Sequence, residues 1–206
     1  MDSNYWDEKY STEEFIYTKV VNRFVAELCG KIPAIGNKRA IELAGGEGRN
    51  AVWLAQQGWH IENIDFSQKA LDKYLAFAEE QGVAQLCSAT CADATLFEPQ
   101  VSPVELAVIG YLQIPEEQLE IATRRIAGYV SQGGYLMGVW HSRDNLAGGF
   151  GGPRDPDVLP NVATISKALE GTGLEIEILE NREGQIQTKE GLKPSTTLVL
   201  LAKRGL

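Results

Sequence analysis

The run Arg39-Ala40-Ile41-Glu42-Leu43-Ala44-Gly45-Gly46-Glu47-Gly48-Arg49-Asn50-Ala51, followed by His60-Ile61-Glu62-Asn63-Ile64-Asp65-Phe66-Ser67, reads as strand, glycine turn, helix and second strand ending in a carboxylate. That order describes a nucleotide-binding βαβ unit. The glycines let the backbone bend tightly and approach a ligand, the helix starting near Arg49 aims free N–H groups at it, and Asp65 stands where a ribose would lie. The ligand this predicts carries an adenosine.

The rest of the chain keeps the alternation. Strands are predicted at 40–44, 60–64, 85–88, 104–109 and 135–140, with helices at 50–57, 67–80 and 115–129 between them. Such a pattern makes a mostly parallel, doubly wound α/β sheet with right-handed crossovers. After a helix at about 164–171, the segments 174–180 and 197–203 are both strand-like and are joined by a polar connection over 182–194. With no crossover helix between them they are predicted to pair antiparallel. Ahead of the sheet, Ser11-x-x-Glu14 forms a capping box, and Tyr17, Val20, Val21, Phe24, Val25 and Leu28 follow at helical spacing, predicting one amphipathic helix that ends at Gly30.

A chain of 206 residues, 44% hydrophobic and 23% charged, suits one compact domain over 1–206, with 1–38 as an N-terminal cap and helix and 39–206 as the sheet core. No apolar run approaches the roughly 20 residues that span a bilayer, and the first residues lack the basic and apolar parts of a signal peptide, so a cytoplasmic location away from membranes is expected. A formal net charge of −9 opposes phosphate backbones and argues against nucleic acid. The expected partner is a small molecule, and nothing in the chain fixes an oligomeric state. Cys29, Cys87 and Cys91 are odd in number and read as reduced thiols. With His60 and His141 the only histidines, no metal-ligand spacing arises and no metal is expected.

Two cofactor classes use this βαβ arrangement. Gly46-x-Gly48-x-x-Ala51 fits the dinucleotide fingerprint and permits NAD, and with it an oxidoreductase. Yet Glu42 places a carboxylate in a strand that would normally stay apolar, and a cationic ligand explains that acid. The pattern Glu42-Leu43-Ala44-Gly45-Gly46-Glu47-Gly48 resembles motif I of class I S-adenosylmethionine (SAM)-dependent methyltransferases. Tyr5-Trp6-Asp7-Glu8-Lys9-Tyr10, the segment from Ala44 to Ala55, Ile64-Asp65-Phe66-Ser67 and Gly151-Gly152-Pro153-Arg154-Asp155-Pro156-Asp157 are similar to small bacterial methyltransferases of the tellurite-resistance and thiopurine type. The resemblance implies a Rossmann-like, seven-stranded sheet ending in an antiparallel hairpin. It also implies SAM as cofactor and methyl transfer to a small-molecule acceptor, with S-adenosylhomocysteine released. A SAM-binding sensor without chemistry is the other alternative.

The candidate cofactor residues are Glu42, Gly45, Gly46, Gly48, Asn50, Asp65, Phe66, Asp93 and Ala94. Asp65 is expected to accept from the ribose hydroxyls, its alternative being a strand-end turn. Phe66 either covers an adenine face or packs in the core. Asp93, in Cys91-Ala92-Asp93-Ala94, matches the position where the resembled superfamily receives the adenine amino group, its alternative being an ordinary loop aspartate. By the same resemblance, Glu42 helps hold the methionine end, its alternative being hydrogen bonds to nearby backbone amides, and Gly110-Tyr111-Leu112-Gln113 lines the methyl-transfer site. Arg49 and Asn50 project from the turn beside the methionine end or are solvated helix-start residues. The family also prompts a soft-metalloid role for Cys87 and Cys91.

The loop over 142–160, holding Gly148-Gly149-Phe150-Gly151-Gly152-Pro153, exceeds the usual connection length and leaves the carboxyl end of a parallel strand. The acceptor mouth is expected there. Tyr111, His141 and Arg154 are the catalytic candidates, against a core aromatic, a surface histidine and a loop arginine paired with Asp155 or Asp157. Tyr5, Trp6 and Tyr10 either pack on neighbouring helices or fold over the cofactor, where aromatic faces attract a sulfonium.

Overall fold

Runs of apolar residues buried on both faces, separated by amphipathic helices, assemble into a seven-stranded sheet in the order β3-β2-β1-β4-β5-β7-β6. The computed structural model describes residues 3–205. Its elements are α1 (Ser3–Tyr10), α2 (Arg23–Cys29), β1 (Arg39–Leu43), α3 (Arg49–Gln56), β2 (His60–Asp65), α4 (Gln68–Glu80), β3 (Cys87–Cys91), β4 (Val104–Gly110), α5 (Glu116–Gly128), β5 (Val130–His141), α6 (Val162–Leu169), β6 (Leu174–Thr188) and β7 (Gly191–Arg204). Strands β3, β2, β1, β4 and β5 run parallel, and β7 pairs antiparallel with both β5 and β6.

Helices cover both faces. On one, Phe24, Val25 and Leu28 of α2 join Leu54 of α3 and Leu71, Tyr74 and Phe77 of α4 against Leu106, Val108, Met137 and Val139. On the other, Leu119 and Ile126 of α5 and Ile165 and Leu169 of α6 pack on Ile41, Leu43, Ile109, Trp140 and Leu200. Period-two alternation in β4 and β5 sends successive side chains to these two layers. Strand order reverses between β1 and β4, so their carboxyl ends open a crevice in which ligands of such sheets bind.

Three expectations are corrected. The Ser11 capping box starts no helix: residues 11–22 form turns and bends between α1 and α2. Ser11 Oγ instead donates to the Asp7 carbonyl (2.7 Å), and the Ile16 and Tyr17 amides donate to the carboxylate of Glu47 (3.1 and 3.2 Å). A long-range acceptor wins over the local helical pattern. The polar connection over 182–194 is not a loop, since β6 and β7 continue through it, with Asn181↔Leu198 followed by paired residues as far as Thr188↔Gly191. Along this hairpin exposed and half-buried residues alternate, with Gly184 against Arg23 and Ile186 against Gly151. Gln85 lies in a short 3₁₀ turn, and β3 begins two residues later at Cys87. No described helix is long and apolar enough to cross a membrane.

Candidate active site

The glycine turn joins β1 to α3. Gly46 and Gly48 have φ of +55° and +79°, which glycine tolerates at little cost. A side chain on Gly48 would also strike the ring of Tyr74. Gly48 N–H closes the turn on the Gly45 carbonyl (2.9 Å), and the N-cap of α3, Gly48, offers it no side-chain cap. Asn63 supports the turn from β2 by donating to the Gly46 carbonyl (3.0 Å).

Two carboxylates end the central strands. Glu42 is fully buried, its Oε1 accepting from Asn50 Nδ2 (2.8 Å) while Oε2 has no partner. Burial pushes its carboxyl up to about 7, opposed by the Asn50 hydrogen bond, Arg49 and the Ala51 amide and aided by Asp65. Asp65 accepts from the Gly46 amide (2.9 Å) and the Ser67 amide (2.9 Å). Burial raises it to about 6 against the pull of those amides. Both acids therefore titrate near neutrality because they are shielded from water.

Helix α1 lies across this turn. Asp7 Oδ1 accepts from Ser67 Oγ (2.5 Å) and the Lys69 amide (3.3 Å), fixing α1 to the start of α4. Tyr10 is buried with its hydroxyl beside Gly46, and burial together with Asp65 pushes its phenol up. Trp6 stacks on Tyr10 with ring centroids 5.6 Å apart, whereas Tyr5 is exposed. Glu47, the non-glycine member of the turn, receives the Ile16 and Tyr17 amides and the Lys73 ammonium (3.0 Å). Glu47 and Asp7 stood in the sequence only as motif letters. The turn thus holds down the segment that covers it.

Phe66 is half-buried and belongs to neither main core cluster, in contrast to its core alternative. Asp93 follows β3, exposed, and its Oδ1 accepts from the Thr95 amide (2.7 Å) and hydroxyl (2.5 Å). Ala94 packs against the second core cluster. Across the crevice, Tyr111 follows β4 with φ of +58°, a conformation costing about 1–2 kcal/mol for a non-glycine residue. Its ring lies 4.7 Å from the His141 ring and 5.5 Å from the Arg49 guanidinium. Burial, then Arg49, lowers His141 to about 4, and its Nδ1 has no partner.

Tyr111 and His141 are therefore brought together. Arg154 is not joined to them: it is exposed, and no hydrogen bond, ion pair or ring contact of it occurs among the described residues, including with Asp155 or Asp157. Gly151 and Gly152, by contrast, abut His141. Asn145 ties their loop down by donating to the Phe150 and Gly151 carbonyls (3.1 and 2.9 Å) and accepting from the Thr196 amide (2.8 Å). Gln113 bridges the His141 amide (3.0 Å) and the Val158 carbonyl (2.7 Å). Sequence reading missed Asn22, which donates to Tyr111 Oη (3.0 Å) through Nδ2 and to Asn50 Oδ1 (2.9 Å) through its backbone amide. Among the described residues, no group of three or more His, Cys, Asp or Glu is arranged to hold a metal, Cys87 and Cys91 included.

Residues 1–122 match the sequence profile of the thiopurine S-methyltransferase family. No curated protein sequence matches the chain. Among solved structures, it is similar to a protein studied for the conversion of a disulfide bond into a thioacetal group during echinomycin biosynthesis, with TM-score 0.78, 14% identity, and 98% of this chain and 91% of that one covered. TehB from Haemophilus influenzae aligns with TM-score 0.69 and 15% identity over 98% of this chain and 66% of that one. An S-adenosylmethionine-dependent methyltransferase from Clostridium acetobutylicum aligns with TM-score 0.67 and 14% identity over 100% and 93%. Those likenesses carry the fold, and the profile carries the family. The chain belongs to the thiopurine S-methyltransferase family and is a SAM-dependent methyltransferase.

Proposed function

We propose that this enzyme methylates a small, soft nucleophile bound between Tyr111, His141 and Arg49, and that S-adenosylhomocysteine leaves as the second product. The observation that carries the reading is the pairing of an orphaned buried carboxylate, Glu42 Oε2, with a wall that offers a cation and a hydroxyl and no basic histidine. The residues fit SAM as cofactor. Glu42 presents an unpaired acceptor to a cationic methionine end, the uncapped start of α3 offers amides to its carboxylate, and Asp65 has lone pairs left for a ribose. Phe66 and Asp93 stand at the adenine side, and Gly45, Gly46, Gly48 and Asn50 shape the floor.

When bound, SAM supplies a methyl group already activated by its sulfonium. The protein's task is then alignment and exclusion of water, and alignment alone contributes about 7–11 kcal/mol in favourable cases. Tyr10 and Trp6 close the cofactor side, while His141, with Gly151 and Gly152 against it, walls the acceptor side. His141 is neutral at physiological pH and a weak base, so the acceptor is one whose attacking atom needs no proton removed first, such as a thiolate. Arg49 favours an anion there.

Incubation with methyl-labelled SAM and a set of small thiols, selenols and carboxylates tests this. Label should pass to a soft anionic member of the set, with S-adenosylhomocysteine formed in equal amount. Binding of SAM with no transfer to any of them would instead favour a sensor.

A further inference from the structure

The polarity of four hydrogen-bonding groups is fixed across the crevice. Asn22 Oδ1 accepts from the Phe24 and Val25 amides (2.9 and 3.4 Å), capping α2, so its Nδ2 is the end that meets Tyr111 Oη at 3.0 Å. An amide nitrogen only donates. The Tyr111 oxygen therefore accepts, and its own proton points elsewhere. Asn50 is fixed the same way, since Oδ1 accepts from the Asn22 amide and Nδ2 must then donate to Glu42. Hydrogen bonds thus link the carboxylate at the methionine end with the hydroxyl on the acceptor wall, and Asn22 donates toward both ends. Tyr111 is locked in place by its backbone amide on the Val139 carbonyl (2.8 Å), by its positive φ, and by the rings and guanidinium around it.

We propose that Asn22 is a positioning residue that makes the Tyr111 hydroxyl a hydrogen-bond donor to the methyl acceptor. The site thereby selects molecules that present an anion or an exposed lone pair at that point. The inference rests on the acceptor site lying beside Tyr111, as proposed above. It assigns to the loop between α1 and α2 a share in substrate choice as well as in covering the cofactor. An acceptor that could only donate a hydrogen bond would meet the Tyr111 oxygen with one lone pair already taken by Asn22 and is disfavoured.

The test uses the full chain saturated with S-adenosylhomocysteine and the thiolate 2-nitro-5-thiobenzoate as probe, titrated calorimetrically. Asn22→Asp keeps a good helix cap but cannot donate, so the Tyr111 proton is drawn onto the new carboxylate. Asn22→Asp and Tyr111→Phe should each weaken probe binding about tenfold, the loss of one hydrogen bond to a charged group. In the Tyr111→Phe background, Asn22→Asp should add little, because its effect runs through the missing hydroxyl. S-adenosylhomocysteine affinity and melting temperature should stay those of the parent.

An equal loss in both backgrounds would reduce Asn22→Asp to charge repulsion and overturn the inference. So would unchanged probe binding in Tyr111→Phe, and so would a loss of cofactor-product affinity in step with the loss of probe. Failure of the parent itself to bind the probe would sink the acceptor site proposed beside Tyr111, and this inference with it.

Discussion

Glu42 and Asp65 show at the residue scale what the site costs and what it gains. Burial has raised Glu42 to about 7, so in the ligand-free protein it is largely protonated below that pH and charged above it. A cationic methionine end needs the charged form. S-adenosylhomocysteine affinity should therefore climb by up to about tenfold per unit as pH rises from 6 toward 7 and level off above it, with proton release on binding. Glu42→Gln should flatten that profile, and a parent protein with a flat profile would show that Glu42 does not meet the cation. The stability sign is opposite. A carboxyl raised above its unfolded value contributes stability at low pH that is lost as pH rises through the folded value, so Glu42→Gln should melt higher than the parent at pH 8 in the absence of ligand. Asp65→Ala should cost about 1.5–3 kcal/mol of cofactor affinity through lost charge-assisted hydrogen bonds. Titration that finds parent-like affinity would confine Asp65 to holding the Gly46 and Ser67 amides.

At the scale of elements, the parallel core was legible and its coverings were not. The turn from Glu42 to Gly48, the strands around it and the antiparallel end follow from local pattern, because strands buried on both faces must be apolar and tight turns need glycine. The segment 11–22 was misread as helix because its fate is decided by Glu47, some thirty residues on, which no local pattern encodes. Asn22 escaped for the same reason, since its partners Asn50 and Tyr111 are distant in the chain. The hairpin beyond residue 181 reads as loop because its half-buried row, Arg182, Gly184, Ile186 and Thr188, is mostly not apolar, so the alternation that marks a half-buried strand is missing from the sequence.

Glu47 gives this scale its prediction. Removing it leaves the Ile16 and Tyr17 amides without their acceptor and takes the counter-charge from the Lys73 ammonium, which keeps only the Glu14 carbonyl and the Thr12 hydroxyl, so Glu47→Ala should lose about 3 kcal/mol of stability. Hydrogen exchange should speed up across 11–22 in that variant. In the parent, S-adenosylhomocysteine should slow exchange in α1 and in 11–22, with a smaller change over 142–160, where Asn145 and Gln113 already anchor the loop. Exchange indifferent to the ligand in all of these segments would show that they do not close over the cofactor.

The whole molecule carries a net charge of −9. Arg49, beside Tyr111, forms no ion pair among the described residues. An acidic body repels anions in general, and the unpaired Arg49 guanidinium at the crevice recovers attraction for a small one. The proposed hold on SAM, in the crevice between β1 and β4, is made by Glu42, the glycine turn and Asp65. Calorimetric titration of the parent with SAM, S-adenosylhomocysteine and NAD tests it most directly. One site with micromolar-range affinity, about −8 kcal/mol, is expected for both SAM and its product, with no comparable heat from NAD. Tight binding of NAD with no response to SAM would contradict it.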